Sequence, residues 1–119
     1  MSSIKNISTN ISWEKIVGYS RAVFVGNFLH VSGTTATDKM GEIIGTNADE
    51  KTIQIISNIE TALQAAGASL KDVVRTIISV KNIEEWEEIG KAHSEFFCEI
   101  RPATTMVEAS RLVSPEMLL

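Results

Sequence analysis

From Ala22 to Ser32 the chain reads AVFVGNFLHVS, two short apolar runs meeting at Gly26-Asn27. Glycine and asparagine tolerate the positive φ that a tight two-residue turn demands, so the pattern predicts a β-hairpin. Thr34 to Asn47 is polar and, like the Gly33 before it, punctuated by glycine at Gly41 and Gly45, and reads as a loop. Asp49 to Ala66 then places Ile53, Ile56, Ile59, Leu63 and Ala66 three and four apart, one stripe of a helix that Gly67 ends. Val73 to Val80 is rich in β-branched side chains and reads as a buried strand. Asn82, with Glu85 three residues on, approximates a capping box and opens a second helix through Phe97, with Trp86, Ile89, His93 and Phe96 on one face. Thr104 to Ala109 reads as a further strand.

The order strand, strand, helix, strand, helix, strand alternates too little for a doubly wound parallel sheet and predicts an α+β fold, a single sheet with two helices packed on one face. The other face of that sheet would be exposed, and strands as apolar as Val73–Val80 do not tolerate water on it, so oligomerisation follows from physics alone. At 119 residues and 44% hydrophobic, with two prolines and no repeat, linker or low-complexity tract, residues 1–119 form one domain.

Charge and cysteine usage narrow the classes of function. A net charge of -4, with pI near 5.1 and 11 scattered basic residues, predicts no nucleic-acid partner, because phosphate binding draws on clustered Lys and Arg. No long apolar run and no charged segment leading into an apolar one predicts neither membrane span nor signal peptide, hence a cytoplasmic protein. Cys98 is the single cysteine, which fits a reducing compartment. Asn6-Ile7-Ser8 and Asn10-Ile11-Ser12 match the glycosylation sequence but are set aside for want of secretion. His30, His93 and Cys98 fit no common zinc spacing, so no metal and no cofactor are expected. His30 is a candidate general base, because histidine is the side chain whose unperturbed charge change falls near neutral pH. Cys98 lacks an adjacent base and reads as a buried structural thiol, and the Glu84–Glu88 run as an acidic first turn beside a buried Trp86.

The richest stretch is Phe96-Phe97-Cys98-Glu99-Ile100-Arg101-Pro102-Ala103-Thr104-Thr105-Met106-Val107-Glu108, a polar cluster between a helix and a strand. Together with Gly18-Tyr19-Ser20-Arg21, Gly26-Asn27 and Val31-Ser32-Gly33-Thr34-Thr35, it resembles the RidA/YjgF family of small trimeric proteins, whose archetypes hydrolyse reactive enamines and imines. The resemblance spans nearly the whole chain. It implies a chorismate-mutase-like fold and a homotrimer, with sheets facing inward and small-molecule clefts between subunits. It aligns Tyr19 with the family's cleft tyrosine and Ser32-Gly33 with a ligand-contacting Ser-Gly pair. Where the archetypes carry the Arg that grips a substrate carboxylate, this chain has Thr104, with Thr105 beside it; threonine donates one hydrogen bond but cannot neutralise a carboxylate. Arg101, three residues earlier, is a candidate replacement, although a surface Arg opening a turn before Pro102 is the plainer reading. Gly90 stands where the archetypes have a supporting Asn, read here as permitting close packing. The archetypal Glu that positions water would fall just beyond Leu119, and Pro115–Leu119 reads as the opening of a strand cut short, so no catalytic residue is assigned.

Two functions of different class follow. One is a hydrolytic deaminase of small enamine or imine metabolites with a non-archetypal substrate preference, its pocket lined by Tyr19, Ser32, Gly33, Thr104 and Thr105. The other is a non-catalytic trimer binding a small metabolite in the same clefts. Nuclease activity, attached to some family members, finds no basic groove here.

Overall fold

The computed structural model describes residues 3–9 and 11–119, so Asn10 of the second glycosylation sequence lies outside the described residues. Among these residues the regular elements run β1 (Ile4–Ile7), α1 (Ser12–Val17), β2 (Ala22–Val25), β3 (Phe28–Val31), α2 (Ala48–Ala65), β4 (Arg75–Val80), α3 (Trp86–Phe97) and β5 (Ala103–Glu108). The class is α+β, as the element order predicts. The hairpin closes about Gly26, at φ 59°, with Val25 opposite Phe28 and Ala22 opposite Val31. β1 adds to its outer edge, Ile7 opposite Ala22. Neither β1 nor α1 was predicted.

The expected single sheet is divided. Among the described residues, hydrogen bonds form a three-stranded antiparallel sheet, β1-β2-β3, and a two-stranded parallel sheet, β4-β5. The hairpin serves the first, whereas parallel pairing needs a crossover, which α3 supplies between β4 and β5. The register assigns each sheet a covered and an open face. Ile7, Ala22 and Val31 share the covered side of the first sheet, and Asn6, Val23 and His30 share the open one. In the second sheet Thr76, Ile78 and Val80 share a side with Thr104, Met106 and Glu108, and Ile78, Val80 and Met106 turn into the core. The opposite side carries Arg75, Ile77, Ala103, Thr105 and Val107. Ile4, Phe28, Ile77 and Val107 are exposed on these open faces.

The core joins Ile55 of α2, Val80 of β4 and Ile89 of α3 to Ala36, Ala48 and Leu119. Withdrawing a side chain such as Ile89 wholly from water contributes about 1.5–3 kcal/mol. The buried seam of α2 runs through Ala48, Lys51, Thr52, Ile55, Ile56, Ala62 and Leu63, so of the predicted stripe Ile56 and Leu63 are buried and Ile59 packs partly buried against the core. In α3 the seam is Ile89, Ala92 and Phe97, while Trp86 is 55% exposed, contrary to the buried tryptophan expected. The helix begins later than predicted because the Asn82 side chain accepts from Glu84 N at 3.0 Å, tightening residues 83–85 into a 3₁₀ turn. Residues 110–119 form no strand; Leu118 O instead accepts from Lys81 N at 2.9 Å and Leu119 enters the core.

Candidate functional site

Tyr19 is placed by the end of α1. Gly18 adopts φ 88°, and the amides of Gly18 and Tyr19 both donate to Glu14 O at 2.9 Å, turning the chain sharply out of the helix. The start of α1 is fixed by the buried Glu14 carboxylate, which accepts from Ser8 Oγ at 2.8 Å and Thr9 Oγ1 at 3.0 Å. Burial raises the pKa of Glu14, but these hydrogen bonds more than reverse it and hold the group below its ordinary 4.5. Between α1 and the open face of the first sheet lies an open hollow of about 520 Å³, lined by Tyr19, Ser20, Ser32, Val23, Asn6 and Lys15 among others. Ser32 Oγ donates to Ser20 O at 2.7 Å, and Ser32 N to Arg21 O at 3.0 Å, which ties the end of β3 to the turn after α1. Gly33 O accepts from Arg21 Nη2, and that guanidinium lies 5.6 Å from the Tyr19 ring centre. Arg21 Nε is buried without a partner among the described residues. An added Cβ at Gly33 meets nothing within 4 Å, so the fold itself does not demand glycine there.

A second polar group forms where β4, β5 and α3 meet. Thr104 and Thr105 are neighbours on one strand and point to opposite sides of the sheet. On the helix side the Thr104 and Thr76 hydroxyls lie 2.7 Å apart, and Thr76 Oγ1 lies 3.1 Å from His93 Nε2. The His93 ring leans on Phe97, centroids 4.6 Å apart, and burial pulls its pKa below the ordinary 6.5. On the open side Thr105 Oγ1 accepts from Arg75 Nη2 at 2.7 Å. Arg101 occupies the turn that leaves α3, with φ 55° and its amide donating to Phe97 O at 2.8 Å. Its exposed side chain makes no hydrogen bond to Thr104 or Thr105.

The structure therefore brings Tyr19, Ser32 and Gly33 together, separates Thr104 from Thr105 by the sheet, and leaves Arg101 apart. Among the described residues no hydrogen bond or ring contact joins the Tyr19 group to the Thr104 group. Sequence reasoning missed the contacts of Arg21, Arg75 and Thr76 and that His93 meets Thr76. His30 is exposed on the open face opposite Val23. Cys98 is exposed too, not a buried thiol. Gly90 offers no close contact: a Cβ there meets open space. Among the described residues no His, Cys, Asp and Glu cluster suits a metal, and no helix is long and apolar enough to cross a membrane.

Known proteins share both the sequence and the fold. The model of the family described as Endoribonuclease L-PSP matches residues 10–119. The RutC family protein SSO3206 of Saccharolobus solfataricus is 41% identical over 95 residues, 79% of this chain and 75% of its own. A 2-iminobutanoate/2-iminopropanoate deaminase of Dermatophagoides farinae is 30% identical over 113 residues, 94% of this chain and 88% of its own. The crystal structure of Rv2704 from Mycobacterium tuberculosis, a YjgF/YER057c/UK114 family member, matches with a TM-score of 0.89 at 41% identity, covering 98% of this chain and 92% of that one. With residues 10–119 matched by the family's sequence and nearly the whole chain matched by a member's fold, this protein belongs to the RidA/YjgF family.

Proposed function

We propose that the chain is a hydrolytic deaminase of small imines or enamines, working in clefts between the subunits of a cytoplasmic homotrimer. The observation that carries this reading is the division of the site: among the described residues no hydrogen bond or ring contact joins the Tyr19–Ser32–Gly33 wall to the Thr104 wall within one chain, and exposed apolar residues mark the open sheet faces. A neighbouring copy laid on those faces covers the apolar residues, and the exposed Thr104 hydroxyl at the edge of its sheet is then left to meet the next subunit's Tyr19 wall at the seam. The relative named as a 2-iminobutanoate/2-iminopropanoate deaminase supplies the reaction class. Thr104 directs substrate preference away from simple 2-imino acids, since a neutral hydroxyl leaves a buried carboxylate unpaired.

The test is imine hydrolysis, with 2-iminobutanoate and bulkier or uncharged imines generated by an amino acid oxidase and trapped with semicarbazide. The parent is expected to favour the uncharged imines, and Thr104→Arg to shift the preference towards 2-imino acids over uncharged imines by at least about tenfold whatever its overall rate, a difference of about 1.4 kcal/mol in relative transition-state binding. A parent and variant inert towards every imine would replace catalysis with the second reading, a trimer that binds a metabolite without transforming it. One observation favours that reading: the carboxylate lining the Tyr19 hollow, Glu14, is already engaged by Ser8 and Thr9.

A further inference from the structure

A hydrolytic site needs a proton acceptor for water, and among the described residues the carboxylate lining the Tyr19 hollow, Glu14, is engaged by Ser8 and Thr9. A titratable group, His93, is linked to Thr104 through the Thr76 hydroxyl. Three side chains from three elements stand in a row: His93 on α3, Thr76 on β4 and Thr104 on β5, with links of 3.1 and 2.7 Å. The row runs from a half-buried imidazole to an exposed hydroxyl at the mouth of the wall. Each hydroxyl both donates and accepts, so the row conducts a proton without either threonine changing its net charge. From these contacts we infer that His93 is the general base of the site and draws a proton from the attacking water through Thr104 and Thr76. The inference rests on the deaminase reading above.

The polarity of the row is defined by chemistry. For His93 to accept, its proton sits on Nδ1, Thr76 donates to Nε2, and Thr104 donates to Thr76. Thr104 has one competing acceptor, Pro102 O at 3.2 Å, longer than the 2.7 Å contact with Thr76. Burial, which lowers the His93 pKa, keeps the ring neutral and able to accept at neutral pH. No charged group contributes to that shift. Arg75 lies on the far side of β4 against Thr105, and Glu108, on the near side of β5, accepts from Ile83 N at 3.1 Å. On α2, Lys51 Nζ points to Ile44 O, and Lys91, Glu95 and Arg101 are exposed.

The step balances as follows. Water adds to the carbon of a protonated imine; its O–H bond breaks, one proton passes through Thr104 and Thr76 to His93 Nε2, and the C=N electron pair moves onto nitrogen. The proton returns along the row to that nitrogen, the C–N bond breaks as ammonia leaves, and the remaining hydroxyl loses its proton to solvent, giving the carbonyl. No oxidant or reductant is involved.

Nitrogen-15 NMR of histidine-labelled protein tests this directly. The chain has two histidines, so His30→Gln assigns the signals. The expected result is an unprotonated Nε2 on neutral His93. Thr76→Val should shift that tautomer and lower imine hydrolysis by at least about a hundredfold, with Thr76→Ser restoring most of it. The acid limb of the parent's pH–rate profile should track the His93 titration measured in the same protein. An Nε2 proton in the parent, or Thr76→Val hydrolysing at the parental rate, overturns the relay while leaving the deaminase reading intact. A parent that hydrolyses no imine overturns both, whatever the tautomer.

Discussion

At the scale of the residue, chemistry here is decided by small groups held by their neighbours. Gly33 is left open on its Cα, and its carbonyl is held by Arg21. Thr104 is fixed by Thr76, not by a cation. His93 has a direct consequence for stability. Its folded pKa lies below the unfolded 6.5, so between those values the unfolded chain binds more protons, and stability rises with pH. The His93 contribution is present in full above pH 6.5 and is lost as pH falls through the folded pKa. His93→Gln should therefore flatten the fall in thermal midpoint seen on acidification below about pH 6.5. The check is calorimetry of both proteins across that range; an unchanged slope would mean that burial does not hold His93 neutral. None of this was legible in the chain, because His93 and Thr76 are 17 residues apart and Thr76 and Thr104 are 28 apart, and only the packing of helix on sheet joins them. The Tyr19 wall was legible only through its resemblance to a family.

At the scale of the element, local signals were read well where they were long or chemically specific. Gly26-Asn27 identified the hairpin, and the spacing in residues 49–66 identified α2. β1 and α1 escaped because runs of four and six residues carry too little periodicity, and α1 is fixed by a buried carboxylate that no pattern reveals. Within α2 the predicted stripe caught Ile56 and Leu63, with Ile59 packed against the core, but not Lys51 and Thr52, whose side chains donate to Ile44 O and Ala48 O. α3 yields a prediction of its own. With open space above Gly90, Gly90→Ala should stabilise the fold by about 1 kcal/mol through helix propensity, measured by urea unfolding. A loss instead would reveal a neighbouring surface pressed against the helix at that point.

At the scale of the whole molecule, the two sheets each cover one face and leave apolar side chains on the other. Phe28 and Ile77 are 72% and 66% exposed, which is costly for a monomer. Analytical ultracentrifugation should find the parent at three times the 13.0 kDa of one chain. Phe28→Asp should shift it towards a single chain, because a carboxylate cannot be buried unpaired in an apolar contact. A monomeric parent would leave the divided site without its second wall. Apolar strands predict a covered face, but a sequence does not show what lies against which strand.

The separation of the Tyr19 wall from the Thr104 wall makes this a test of inheritance between molecules. Tyr19→Ala spoils one wall and Thr104→Val the other, so each pure variant lacks every complete site. Unfolded together and refolded in equal amounts, the two form mixed rings in which about a quarter of the junctions unite two intact walls. Two dead preparations should thus yield a living one, a recovery open only to a protein whose active unit is the seam between chains.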